Sequence, residues 1–131
     1  MTKPDEEARL HRYELPGGWV VLAGRTDRDN EILSLKVAGP NDWWFHVRGV
    51  PGSHVILRAR EGEDPDRATL KQAAAIAAYH SKARHAGDVA VSCTRARYVG
   101  KPPGAKPGTV SIRKESILKV RPSLPEGGSV N

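Results

Sequence analysis

Only one segment of this chain, Pro65 to Ala86, is both free of internal glycine and rich enough in alanine to form a substantial helix. Elsewhere glycine, proline, asparagine and aspartate cut the sequence into short β-prone runs. Such a pattern predicts an α+β fold: a single domain in which a twisted, mostly antiparallel sheet packs on one long Ala-rich helix. Ala73, Ala77 and Ser81 form a stripe of small side chains that lets the helix approach the sheet closely. Asp64 ahead of Pro65, or Thr69 with Gln72, is the expected N-cap, and Gly87 the expected stop.

Around this helix the strands are expected at Tyr13–Leu15 and Trp19–Ala23, joined by the Pro16-Gly17-Gly18 turn, then at Trp43–Val47 and His54–Arg58. A polar loop is expected over Gly24–Asn30, a short helix over Glu31–Ala38, and a turn-rich loop over Gly49–Ser53. Val89–Cys93 reads as a strand and Arg95–Tyr98 as another short one. Thr109–Ile112 and Ile117–Val120 read as a closing hairpin. Residues 1–12 read as a flexible tail, 13–122 as the domain, and 123–131 as a disordered tail.

At 131 residues the chain has room for one ordinary domain. The single cysteine, Cys93, excludes an internal disulfide and favours a reducing compartment. No apolar run approaches the roughly 20 residues that cross a bilayer. Met1 to Arg12 carries no apolar stretch of the secretory kind. The expected setting is therefore cytoplasmic, without a membrane partner.

Charge is distributed unevenly. The net charge is +6, yet residues 13–66 carry −3 and residues 67–131 carry +9. A domain with one basic half has the electrostatic footprint of a polyanion binder.

Candidate chemistry is sparse. His46 and His54 lie eight positions apart on adjacent expected strands, with Asp42 just ahead. Zinc requires three or four ligands, and Cys93 is too isolated to complete such a set, so no metal is expected. Ser53 beside His54 lies in no nucleophile-elbow motif, and no phosphate-cradling or dinucleotide fingerprint is present. No cofactor and no catalytic residue are expected. In the run Trp43-Trp44-Phe45, strand alternation puts Trp43 and Phe45 on one face and Trp44 with His46 on the other. One set is then free to stack on bases at ~1–3 kcal/mol per contact. The loop Lys101-Pro102-Pro103-Gly104-Ala105-Lys106-Pro107-Gly108 is stiffened by proline, and two lysines on it suit phosphate contact.

The run from Asp42 to Val55, with its Trp-Trp-Phe-His-Val-Arg-Gly-Val-Pro-Gly-Ser-His core, resembles the signature of the NFACT RNA-binding domain, NFACT-R. The resemblance continues through Gly24-Arg25 with Asn30-Glu31, through Ala73–Arg84, and through Val99–Val110, in the family's order. It covers roughly Tyr13 to Pro122. It implies an RNA-binding domain like that at the C-terminus of RqcH-type ribosome-quality-control factors, which hold tRNA on a stalled large subunit. The family's tail-synthesis residues belong to domains absent from this sequence, so it implies a stand-alone binding domain rather than a tailing enzyme.

These readings converge on a non-catalytic RNA-binding domain, with tRNA or the large ribosomal subunit as partner. Arg25, Arg48, Lys82, Arg84, Lys101 and Lys106 are the expected phosphate contacts. Trp44, His46 and His54 offer stacking or hydrogen bonding. Gly49, Gly52 and Gly108 give close backbone approach, and Pro51, Ser53 and Ser81 complete the loop surface. Asn30 and Asp42 orient their neighbours. Two rivals remain open: an RNA-processing enzyme using His46 and His54, and a protein-interaction module docking on the ribosome.

Overall fold

A computed structural model describes residues 8–129. Strands β1 (Leu10–Leu15), β2 (Trp19–Gly24), β3 (Trp43–Val47), β4 (Val55–Leu57), β5 (Val89–Arg95) and β8 (Ser116–Val120) form one sheet in the order β1-β2-β4-β3-β5-β8. Every pairing is antiparallel. Two short strands, β6 (Val99–Gly100) and β7 (Ser111–Ile112), pair with each other. Helix α1 (Asp27–Ile32) runs into a single π-helical turn, Leu33–Val37. Helix α2 (Arg67–Tyr79) lies against the middle of the sheet.

Both faces of the sheet are covered. On one face Ala73, Ala74, Ile76, Ala77 and Ala78 of α2 meet Val21, Phe45, Val47, Val55, Leu57 and Val91. On the other, Leu33 closes over Trp44 and Ile56, with Val99, Val110 and Ile112 beside them. Three-residue β4 therefore has no polar side: Val55, Ile56 and Leu57 are all fully buried. Cys93, on β5, belongs to the α2 side and is 4% exposed.

The single long helix, and the α+β reading built on it, are overturned. The fold is a mostly antiparallel sheet with two short helices, and the longer one spans 13 residues. Tertiary hydrogen bonds stop it at Tyr79, well before Gly87. The carbonyl of His80 accepts from Ser53, the amide of Lys82 donates to Pro51, and Gly52 bridges to Ser81. A helix cannot continue through backbone groups already engaged by a neighbouring loop. Its N-cap is Asp66, whose carboxylate accepts from the Thr69 amide, rather than Asp64 or Thr69.

Other segments also differ from expectation. Thr26 caps α1 by accepting from the Asp29 amide, so a helix begins inside the expected polar loop. Thr109–Ile112 and Ile117–Val120 do not form a hairpin: β7 pairs with β6, and β8 with β5. Ala96–Tyr98 is a 3-10 turn rather than a strand. Within the expected N-terminal tail, Leu10–Arg12 belong to β1, while residues 1–7 lie outside the described residues. In the expected C-terminal tail Ser123 donates to Ala75 and Leu124 packs on the core, while residues 130–131 lie outside the described residues.

Close approach at α2 generates the first prediction. Ala77 is 0% exposed. Ala77→Leu should lower stability by ~1–3 kcal/mol, the usual cost of overpacking, and an unchanged melting temperature would assign the contact wrongly. Gly24 provides a second site, because an added Cβ would fall 2.0 Å from Asn30 Oδ1 and 2.9 Å from its amide nitrogen. Gly24→Ala should therefore reduce the melting temperature measurably; equal melting curves would show that α1 gives way freely.

Candidate nucleic-acid interface

Two adjacent grooves flank the loop that follows β3. The first is built where β2, α1 and the turn after α2 converge. Arg25, Asn30, Pro51, Gly52, Ser81, Lys82 and Arg84 line it, with Thr26, Asp27 and His80. Gly52 makes the convergence possible: a Cβ there would lie 2.7 Å from the Ser81 Cβ. Ser81 Oγ donates to the Ala78 carbonyl and accepts from the Ala83 amide, so the turn carrying Lys82 and Arg84 is fixed. Arg84 lies over the Tyr79 ring at 3.9 Å, and its Nε donates to the Tyr79 carbonyl. Among the described residues Arg25, Lys82 and Arg84 take part in no ion pair.

Behind this groove stands a ring cluster that sequence reasoning missed. His80 Nε2 and Tyr13 Oη are 2.6 Å apart, and His11 stacks on His80 with centroids 4.6 Å apart. The partners come from β1 and the end of α2, so nothing local in the sequence signals the cluster. Burial first, then His11 and Arg84, pushes His80 down to about 4.

Residues Trp44, His46, Arg48, Gly49, His54 and Gly108 line the second groove, with Ser92, Thr109, Val110 and Glu115. Its floor is a buried hydrogen-bonded chain. Trp44 Nε1 donates to Ser34 Oγ at 2.9 Å, and Ser34 Oγ lies 2.7 Å from His54 Nδ1. The serine hydroxyl, one donor with two acceptor lone pairs, can serve the indole and the imidazole at once, and the His54 tautomer sets the direction of the second bond. Trp44 is 3% and His54 4% exposed, so neither ring presents a stacking face to a ligand. Both support the half-buried His46, which lies edge-on to His54 at 5.5 Å. Burial first, then His46, pushes His54 down to about 4; burial also lowers His46. Ser34 had no signal in sequence, being 20 positions from His54.

Remaining candidates are placed separately. Ser53 Oγ donates to the Gly24 carbonyl, holding the loop rather than facing solvent alone. Lys101 is paired with Glu31 at 3.0 Å, and the other Glu31 oxygen accepts from the Gly108 amide. Glu31 was not anticipated, although it alone clamps both ends of the Pro/Gly loop. Lys106 is exposed on that loop. Asn30 Oδ1 accepts from the His54 amide. Asp42 lies at the opposite end of β3 from the grooves. It accepts from the Gly39 and Ala59 amides and from Arg58.

Neutral buried imidazoles make stability depend on pH. Unfolded, His54 and His80 protonate near 6.5; folded, only near 4, so the unfolded chain holds more protons between those values. Their contribution is present in full above about pH 6.5 and is lost as pH falls toward about 4. Melting temperatures measured across that interval should decline with falling pH, whereas a flat profile would mean the rings accept protons in the fold.

Residues 9–114 match the family described as NFACT protein RNA binding domain. The Bacillus subtilis (strain 168) protein named Rqc2 homolog RqcH is 43% identical over 113 residues, covering 86% of this chain and 19% of its own length. The Rqc2 homolog RqcH of Streptococcus suis (strain 05ZYH33) is 35% identical over 122 residues, covering 88% and 22% respectively. The chain thus spans about a fifth of the length of these curated relatives. A solved structure, the C-terminal of the fibronectin/fibrinogen-binding protein from Streptococcus suis, matches with a TM-score of 0.85 at 34% identity. It covers 93% of this chain and 49% of that one. Matched from the first strand to the turn after β7, the protein belongs to the NFACT RNA-binding domain family.

Proposed function

We propose that the domain binds RNA, without turning it over, through the groove formed by Arg25, Lys82 and Arg84. One observation carries the reading: cations from two segments 57 residues apart meet at Gly52 and Ser81, and none of them is neutralised by an ion pair among the described residues. A phosphate in this groove has three positive side chains within one concavity. Arg48 and the Gly49–Ser53 loop extend the surface toward the second groove, where His46 is the accessible ring. Lys106 supplies a further contact from the Pro/Gly loop, while Lys101 contributes less because Glu31 already engages it. Asn30, Trp44 and His54 orient this surface from beneath, whereas Asp42 holds the far end of β3.

Membership in the NFACT RNA-binding family, and relatives named as RqcH, support a role in ribosome quality control. In that role the RNA is tRNA or the large ribosomal subunit, and the setting is cytoplasmic. None of the helices is long and apolar enough to cross a membrane among the described residues.

Phosphate contacts should make binding strongly salt dependent. The three groove contacts alone should contribute about −2 to the slope of log K against log salt for single-stranded RNA, at −0.7 per contact. Arg25→Gln with Lys82→Gln should reduce its magnitude by about 1.4 with little change in melting temperature. A flat salt response in the unmodified protein would remove the electrostatic basis of the reading. Labelled RNA that is shortened during incubation would show an enzyme instead.

A further inference from the structure

We propose that Tyr98, Arg97, Arg113 and Lys114 form a second phosphate-holding site, which engages a distant part of the same RNA strand. It rests on the RNA-binding reading but uses none of the residues assigned there. Three cations converge on one ring: Arg97 lies 6.0 Å from the Tyr98 centroid, Arg113 5.5 Å and Lys114 5.4 Å. None of the three takes part in an ion pair among the described residues. Like charges gathered without a counter-ion repel one another, and an anionic ligand relieves that repulsion. The adjacent carboxylate, Glu115, accepts from Ser92.

The site is held in place from below. Thr94 is 3% exposed, and its hydroxyl donates to the Arg113 carbonyl at 2.7 Å. The Arg113 amide donates to the Tyr98 carbonyl at 3.1 Å. Arg97 donates through its guanidinium to the Pro40 carbonyl and to Asn41 Oδ1. Lys114 has φ 56, the only positive value at a non-glycine among the described residues. A lysine there carries backbone strain that glycine would not, and such strain concentrates at functional positions.

Position separates this site from the first groove. The groove abuts the loop that follows β3, whereas Tyr98 follows β5 at the other end of the sheet, beyond Trp43 and its partner Arg95. At a rise of ~3.3 Å per residue, β3 and its flanks put the two sites on the order of 20 Å apart. A stacked strand advancing ~3.4 Å per nucleotide bridges that distance in about six nucleotides.

The test uses a single-stranded RNA of about 12 nucleotides, long enough for both sites, and poly-glutamate as an acidic-protein mimic. Arg113→Gln with Lys114→Gln should weaken RNA binding about tenfold and reduce the salt slope by about 1.4, two contacts' worth. Lys114→Gly separates binding from folding: it should raise the melting temperature by removing strain while lowering RNA affinity. Unchanged RNA affinity in Lys114→Gly and in the double variant, with Arg25→Gln plus Lys82→Gln still impaired, overturns the second site and leaves the first reading intact. Loss of poly-glutamate binding with RNA binding retained also overturns it, in favour of an acidic protein partner. If the unmodified protein binds no RNA, the first reading fails and this one with it.

Discussion

Three segments of the chain are tied at one point where β2 ends. The Gly24 amide donates to the His54 carbonyl, and the His54 amide donates to Asn30 Oδ1. Asn30 can come so close only because Gly24 has no Cβ. This knot fixes α1, the start of β4 and the end of β2 relative to one another. Arg25 leaves it on one side, and the Gly49–Ser53 loop arrives on the other. Both grooves are therefore positioned by buried backbone hydrogen bonds, which cost more to leave unmade than surface contacts contribute.

From that knot outward, the sheet acts as a wall with a different purpose on each face. The α2 side is close-packed by alanines, which lets the helix sit near enough for its final turn to meet the Gly52 backbone. The opposite side carries the polar chain from Trp44 through Ser34 to His54 beneath the second groove. Such a chain tolerates burial because each member has a partner, and among the described residues no buried side-chain nitrogen or oxygen lacks one. Losing Ser34 would leave both the Trp44 indole N–H and the His54 Nδ1 unmatched.

Much of the strand framework could be read from sequence, because alternation is a local property. Trp43, Trp44, Phe45 and His46 divide between the faces as period two requires. Partnership and termination could not be read in the same way. The segment after Tyr79 has good helix formers, and only its hydrogen bonds to Pro51 and Ser53 end the helix. Likewise β7 and β8 look like consecutive hairpin strands, yet Val99 and Ile112 pair while β8 closes the sheet edge on β5. The polar Asp27–Asn30 resembles a loop until Thr26 is seen to cap it. For the interface, Lys82 and Arg84 were recognisable as basic residues, but their meeting with Arg25 depends on the fold. Ser34 and His11 had no signal at all, since their partners lie far away in sequence; Glu31 falls within the family resemblance, but its pairing with Lys101 and Gly108 could not be read from it.

Cys93 gives the molecule a built-in reporter. Its thiol is shielded on β5, between β3 and β8, and burial pushes its pKa up to about 12. The reactive species is the thiolate, so alkylating reagents are excluded by protonation as well as by access. Labelling then requires the sheet to open at its interior, and the rate of modification follows the population of that opened form. Because the protein has one cysteine, that rate belongs to a single buried location. The molecule can thus be titrated for the integrity of the β3-β5-β8 side of its sheet without a dye, a tag or an engineered residue.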